Sequence, residues 1–374
     1  MPYTISGTVN SESRILVLKQ SDWTLEHNST TSGNSYSIST TSGTKVVIAR
    51  ENDTGYVVGF GGISPVYSAP TGGDRGLFGG GYDDSGRTAT IVYNTISTTG
   101  NSSSFGNLTA AIGYVSATSN GYTGRGIFGG GYTTDSTNVI SYVTITNPGN
   151  ATDFGDLTVA RRGPTATSNN TNDRGTFITG STSGSNSSIT NVIDYVTVST
   201  TGNASDFVDT LYATKESAAT SNGTSNRGVV GGGINSSSTS LNTINYITIS
   251  SAGNATDFGE LTTISAWISA TSSLTNNRGI FAGGSTDTNT NTNVIGYITI
   301  SSAGNASDFG DLSGAAKNGA GTSNGTNNRG IFNLGYVSAV VNTIEYITIS
   351  NSSNSTDFGD LVAPKEVNAA TSNA

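Results

Sequence analysis

Short apolar runs, each broken by Ser, Thr, Asn or Gly, follow one another along the whole chain, and from residue 74 onward they recur in a fixed order. An Arg-Gly-Ile-Phe-Gly-Gly-Gly run (Arg125–Gly131) comes first. After a polar loop comes Asn-Val-Ile-Ser-Tyr-Val-Thr-Ile (Asn138–Ile145). A Gly-Asn-Ala-Thr turn then leads into Asp-Phe-Gly-Asp-Leu (Gly149–Leu157), and an Ala-Thr-Ser-Asn segment such as Ala219–Asn222 completes the unit. The arginines Arg75, Arg125, Arg174, Arg227, Arg278 and Arg329 lie 50, 49, 53, 51 and 51 residues apart. Four short strands per period of about 50 residues are the grammar of a β-propeller blade.

The faces of the strands support that reading. In the tyrosine strand, Ile140 and Tyr142 point one way and Val139, Val143 and Ile145 the other. A strand apolar on both faces must be covered on both, and neighbouring blades would do so. Glycine runs such as Gly79-Gly80-Gly81 remove side chains where backbones come close. A β-solenoid, with shorter rungs, fits less well. Six Arg-Gly strands, six tyrosines (Tyr93, Tyr142, Tyr195, Tyr246, Tyr297, Tyr346) and six Ala-Thr-Ser-Asn-type segments give six blades. The last such segment, Ala370–Asn373, has no Arg-Gly strand after it. It is expected to pair with Arg75–Gly81 and close the ring.

Residues 1–66 stand outside the repeat. Tyr3–Val9, Arg14–Gln20, Thr24–Thr30, Ser35–Ser39, Lys45–Glu51 and Tyr56–Ile63 read as six strands, with turns at Gly33-Asn34 and Ser42-Gly43. Six short strands in so few residues suggest a small β-sandwich. The Pro/Gly-rich stretch 67–73 reads as a linker. The expected fold is therefore all-β: a sandwich over 1–66, then a six-bladed propeller over 74–374 closed by the C-terminal strand.

Composition narrows the function. Charged residues make up only 11%, the net charge is −9 and the pI is about 4.5. Without a basic cluster, nucleic acid is not an expected partner. No apolar run approaches the length of a membrane span. The start, MPYTISGTVNSES, lacks the basic and apolar regions of a secretory signal. The Asn-x-Ser/Thr sequons at Asn150, Asn203, Asn254 and Asn305 are accordingly read as turn chemistry. Cysteine is absent and His27 is the sole histidine, which removes a Ser-His-Asp triad from the repeats. No metal or other cofactor is expected. A carboxylate pair for glycoside hydrolysis would have to come from the repeated acids or from Glu216 and Glu366, and nothing in the sequence singles out two of them.

The Ile-Phe-Gly-Gly run, the aliphatic-x-Tyr strand and the aromatic followed by Leu together resemble the kelch repeat of the galactose-oxidase central-domain type, with Phe154, Phe258, Phe309 and Phe358 in place of the kelch tryptophan. The GNATDFGDL variant is similar to repeats in structural proteins of tailed-phage virions. Likewise the pattern ISGTV, RILVLKQSDWTLEHNSTT, GNSYSIST, GTKVVIARE resembles transthyretin-like or carboxypeptidase-regulatory-like sandwiches at the N-termini of phage structural proteins. These resemblances imply a virion component, assembled in the host cytoplasm, in which residues 1–66 dock to other virion proteins. Fibre proteins of this kind are often trimers, although no coiled-coil heptad is present.

Strand alternation assigns the loops to faces. With the Ala-Thr-Ser-Asn strand innermost, the turns into Arg-Gly and the Gly-Asn-Ala-Thr turns share a constant face, from which the sandwich is expected to enter. The other two loops vary between units and share the opposite face, where recognition most often resides. Its candidate ligand-binding residues are Trp267, Tyr114, Arg161, Arg162, Lys215, Lys317 and Lys365. The six repeat arginines and the acids Asp153, Asp206, Asp257, Asp308 and Asp357 are read as structural, as repeated Arg–Asp pairs and turn caps. The leading expectation is a fibre-type adhesin for a host-surface glycan, without enzymatic activity. The alternatives are a purely structural or decoration protein and a glycan-cleaving enzyme.

Overall fold

In the computed structural model, residues 74–374 are described apart from short loop stretches (122–123, 170–172, 184, 224, 274–275, 287–289, 324–327 and 373–374). Of residues 1–73, seven strands are described, with side-chain burial only for Ile15 and Val17. The chain divides into two compact units, Met1–Thr71 and Gly72–Ala374.

The first unit holds two antiparallel sheets. One has three strands, with Tyr3–Thr8 between Ser35–Thr40 and Val66–Tyr67; the other has four, in the order Leu25–Thr30, Ser13–Lys19, Lys45–Glu51, Val57–Ile63. Ile15 and Val17, two apart and therefore on one face, are both fully buried. The seventh strand, Val66–Tyr67, has no counterpart in the sequence reading. The turns expected at Gly33-Asn34 and Ser42-Gly43, and the linker beyond Tyr67, lie outside the described residues.

The second unit is a six-bladed β-propeller of four-stranded antiparallel sheets. Blade 2 is typical: inner strand Ser116–Thr118, then Arg125–Gly129, Val139–Thr144 and outer Thr152–Asp156. Blade 1 is assembled from both ends of the unit. Its second strand, Arg75–Gly79, pairs on one side with Thr90–Thr95 and on the other with Ala369–Ser372, in the register Ala370 to Phe78. This is the expected closure, and it covers the side of Arg75–Gly79 that would otherwise be a bare edge.

The core lies in the seams between blades. Six apolar clusters each join two neighbours; one of them unites Leu77, Ile91 and Phe105 of blade 1 with Phe128, Val143 and Ile145 of blade 2. The double-faced apolar strands are thus covered as their pattern requires. In blades 1, 2 and 4 a glycine ends the second strand and makes room for the next blade's phenylalanine: a Cβ on Gly79 would stand 2.7 Å from the Phe128 ring, one on Gly129 2.6 Å from Phe177 and one on Gly231 2.9 Å from Phe281. Val139 departs from the pattern. A bulge between Ile140 and Ser141 shifts the register, and Val139 is 39% exposed at the seam of blades 1 and 2.

The repeat arginines do not pair with the repeat aspartates. Each guanidinium lies over its own blade's tyrosine, from 4.4 Å at Arg278–Tyr297 to 4.9 Å at Arg174–Tyr195, and that ring meets a phenylalanine or its equivalent edge-on, as in Tyr142–Phe154. Each Nη1 donates to a backbone carbonyl of the next blade: Arg125 to Val198 at 3.0 Å, Arg278 to Ile349 at 3.1 Å, and Arg329 across the closure to Ile96 at 2.9 Å. A planar fork over a ring face can meet both demands at once, which a compact ammonium cannot. The aspartates Asp153, Asp206, Asp257, Asp308 and Asp357 sit exposed on the outer strands. The cap is instead the residue before the arginine: Asp173 accepts from Ser199 N at 3.0 Å and Asn277 from Ser301 N at 3.0 Å. The sequon asparagines also do turn work, between blades. Asn150 accepts from Asn107 N, Asn203 from Asp156 N and Asn305 from Glu260 N.

Candidate functional site

The inner strands pack on one another around an axial channel. Small residues, Ala117, Ala166, Ala219, Ala270, Gly321 and Ala370, mark its middle, and a cavity opens on each side of them, of about 130 Å³ and about 120 Å³. The second is lined by the repeated Thr, Ser and Asn side chains and differs little from blade to blade. The first is not uniform.

At the mouth of the first cavity each blade contributes one residue in left-handed backbone: Tyr114, Gly163, Glu216, Trp267, Asn318 and Val367, with φ between 45° and 61°. Their backbones form a closed cycle. Gly163 N donates to Tyr114 O, Glu216 N to Gly163 O, Trp267 N to Glu216 O, Asn318 N to Trp267 O, Val367 N to Asn318 O and Tyr114 N back to Val367 O, at 2.8–3.1 Å. Left-handed backbone suits glycine and disfavours bulky or β-branched residues. Only one of the six is glycine, so the cycle imposes the conformation on whichever side chain stands there.

Chain register relative to this cycle sorts the candidate residues. Residues one position earlier (Gly113, Arg162, Lys215, Ala266, Lys317, Glu366) each form a β-bridge to the loop after the second strand of the same blade, as Arg162 does with Ser181. The two variable loops therefore meet on one face. Residues two positions earlier (Ile112, Arg161, Thr214, Ser265, Ala316, Lys365) belong to the seams. This overturns two candidates. Arg161 is fully buried, its Nη2 3.0 Å from Asp194 Oδ2 and 3.1 Å from Phe177 O. Its burial lowers its pKa against the pull of Asp194. Lys365 is 2% exposed, and its Nζ donates to Thr90 O at 3.0 Å and Thr90 Oγ1 at 2.9 Å. Burial brings its pKa down to about 8, against an opposing pull from Asp83. Both are long side chains spent on holding blades together, not on a ligand.

Trp267 and Tyr114 lie at the channel mouth, both half-buried. Lys317 Nζ is 5.4 Å from the centre of the Trp267 ring and 5.6 Å from that of Tyr336. Arg162 lies over Tyr132 at 4.8 Å and Tyr114 at 5.9 Å, and Tyr82 meets Tyr114 edge-on at 5.8 Å. Desolvation, then Glu216, Tyr82 and Glu366, push the Tyr114 hydroxyl up to about 12. Burial lowers the pKa of Lys215.

Four further residues shape the mouth: Glu216, which the sequence offered only as a carboxylate for hydrolysis, and Asn318, Asn368 and Ser217, which were not candidates. Glu216 keeps some exposure to the channel, but the walls of the mouth displace most bulk water from its carboxyl. Its pKa is pushed up to about 7 by this desolvation, against the pull of Lys215 and Arg162. Its Oε1 lies where a Cβ on Gly163 would come within 2.6 Å. Asn318 donates Nδ2 to Glu366 Oε2 at 2.8 Å and leaves its Oδ1 without a partner. Asn368 and Ser217, both buried against the same cavity, have side-chain polar atoms without a protein partner. The signal was present in the spacing: the cycle residues lie 49, 53, 51, 51 and 49 residues apart, nearly the intervals of the arginines.

The mouth thus offers an indole face, a carboxyl that takes up or gives up a proton near neutrality, a phenol and unfilled amide and hydroxyl groups. Among the described residues no cluster of His, Cys, Asp and Glu is arranged to hold a metal ion, and no helix is long and apolar enough to cross a membrane. No family model matches the chain, and no curated protein matches its sequence.

Proposed function

We propose that the channel mouth is a recognition site for a carbohydrate, and that the protein is a virion component of tailed-phage type, an adhesin for a host-surface glycan. The observation that carries this reading is the hydrogen-bonded cycle at the mouth. It fixes six backbone positions and fills them with six different side chains. At the arginine, tyrosine and phenylalanine positions a repeated backbone carries a repeated side chain, because every blade needs the same packing. A repeated backbone whose unrepeated side chains face an open channel, not a seam, is a position where recognition can reside. Indole stacking on the apolar face of a sugar, with carboxyl, amide and hydroxyl groups ready for its hydroxyls, is the chemistry these side chains favour. In this reading residues 1–66 form the docking sandwich, the propeller is of the kelch kind, and Arg162, Lys215 and Lys317 rim the site.

Glycan-array and whole-cell binding by the intact protein, beside Trp267→Ala, tests the reading. Specific binding that the variant loses supports it; absence of binding, with normal incorporation into particles, favours a purely structural role. One observation favours a second reading. Glu216, protonated to a large extent near neutrality, shares the mouth with Glu366, and glycoside hydrolysis uses such a pair. Release of reducing ends from host polysaccharide, abolished by Glu216→Gln, would establish cleavage.

A further inference from the structure

The seams of the ring are built alike but not filled alike. Between blades 2 and 3 the space is taken by Arg161 reaching Asp194. Between blades 6 and 1 it is taken by Lys365 reaching Thr90. Between blades 4 and 5, Leu261, Ser265, Phe281 and Gly296 leave only about 10 Å³. Between blades 1 and 2 the equivalent positions are Leu108, Ile112, Phe128 and Ser141, and the cavity there is about 370 Å³.

At two positions this seam lacks the long polar side chains that cross its neighbours. Ile112 stands where Arg161 and Lys365 extend, and Ser141 stands where blade 3 has Asp194 and blade 6 has Glu345. The walls are Leu108, Ile112, Val115, Phe128 and Val139, and no charged residue lines the space. Val139, exposed at 39%, stands at the opening of this cavity. The hydroxyls of Thr133 and Thr137 stand among the lining residues, and that of Ser141 lies deeper, on a buried residue. A water cluster needs two to four polar partners per molecule, which an apolar wall does not provide, whereas an apolar hollow of about 150 Å³ already accepts a benzene-sized ring.

We propose that the seam between blades 1 and 2 is a binding site for a small uncharged apolar molecule of one or two fused rings, with one hydrogen-bonding edge turned to the threonine and serine hydroxyls. A cation is not matched, since the acid that receives Arg161 in the next seam is replaced here by Ser141. The site is a different cavity from the channel mouth, although Val115 lines both and the stretch from Leu108 to Tyr114 runs from one to the other.

Indole, neutral and bicyclic with a single N–H, is the probe. Titration calorimetry and saturation-transfer NMR on the intact protein should show saturable binding with about one site per chain. The double variant Ile112→Arg/Ser141→Asp rebuilds the neighbouring seam's ion pair inside the cavity and should weaken binding by about tenfold or more. Ser141→Leu fills the space from the deep wall, at a backbone position that accepts Asp194 and Glu345 in other blades, and should do the same. Trp267→Ala should leave indole binding unchanged. The proposal is overturned if the wild-type protein does not bind indole, if both filled variants bind as well as wild type, or if Trp267→Ala removes the binding.

Discussion

The ring of repeat arginines and the hydrogen-bonded cycle at the channel mouth are both six-fold, and they solve opposite problems. In the arginine ring each blade repeats one side chain, one aromatic partner and one carbonyl acceptor in the next blade. In the cycle each blade repeats only the backbone, at φ values that side chains other than glycine resist, and the side chains run Tyr, Gly, Glu, Trp, Asn, Val. The first arrangement spends identical chemistry on holding blades together. The second spends backbone hydrogen bonds on holding a position, and so leaves the side chain at that position free to differ. In this ring, sameness of side chain marks the scaffold, and sameness of backbone under differing side chains marks positions free to be specialised, in the seams as at the channel mouth.

The contrast can be broken at its foundation first. Deleting residues 369–374 removes the inner strand of blade 1 and reopens the ring. Thermal melting should show the loss of a single cooperative transition or a fall of more than about 10 °C. An unchanged melt would mean that the ring does not depend on its closure. Next comes a seam residue. Arg161→Ala leaves the buried Asp194 carboxylate without its cation, held only by Thr158 N and Oγ1, and should cost about 3–5 kcal/mol by urea unfolding. The double change Arg161→Leu/Asp194→Leu should recover much of that loss. In the arginine ring itself, Arg278→Lys keeps the charge but loses the planar stack on Tyr297, and should cost about 1 kcal/mol. A similar cost for Arg125→Lys would confirm that these positions are equivalent.

At the mouth the expected stability effects are smaller and carry a pH signature. The Glu216 carboxyl rises from an ordinary 4.5 to about 7 in the folded protein, so the fold prefers it protonated. Its contribution is fully present below about pH 4.5, falls as the pH rises through 7, and is constant above that. Glu216→Gln should therefore melt higher than wild type at pH 8, with the difference shrinking toward pH 4.5. A pH-independent difference between the two proteins would show that the carboxyl is not the cause. Trp267→Ala should change stability least, by about 1–2 kcal/mol for a half-buried ring, while removing any glycan binding.

The propeller was legible in the sequence because its determinants are local and repeated six times: the Arg-Gly step, the tyrosine strand, the turn asparagines and the unpaired terminal Ala-Thr-Ser-Asn segment. The two variable loops were likewise legible as sharing one face. What could not be read was the direction of each loop residue. Arg161 and Arg162 are neighbours in sequence, yet one is sealed in a seam and the other lies over the half-buried rings of Tyr114 and Tyr132. A one-residue step turns a side chain from core to surface, and composition alone does not fix the step. Aligning Tyr114, Glu216 and Trp267 on the arginine intervals would have fixed it, moving Arg161 and Lys365 into the seams and bringing in Gly163, Asn318 and Val367. The carbonyl partners of the arginines were hidden for another reason: a backbone acceptor has no residue type, so charge pairing pointed to the aspartates instead.

The pairing of Ala369–Ser372 with Arg75–Gly79 also bears on how the protein is made. The strand that completes blade 1 is translated after every other strand of the ring. Until residue 372 leaves the ribosome, the first blade waits with a bare edge while the other five are synthesised. Blades 2 to 6 can form as the chain emerges, each from nearby segments. The Arg329 bond to Ile96 and the Asp360 bond to Asn101 can form only when the two ends of the array meet. Folding of the ring is therefore gradual until its last strand emerges and abrupt at that point, and the growing chain is most open to wrong pairing with its neighbours on a polysome just before residues 369–372 appear.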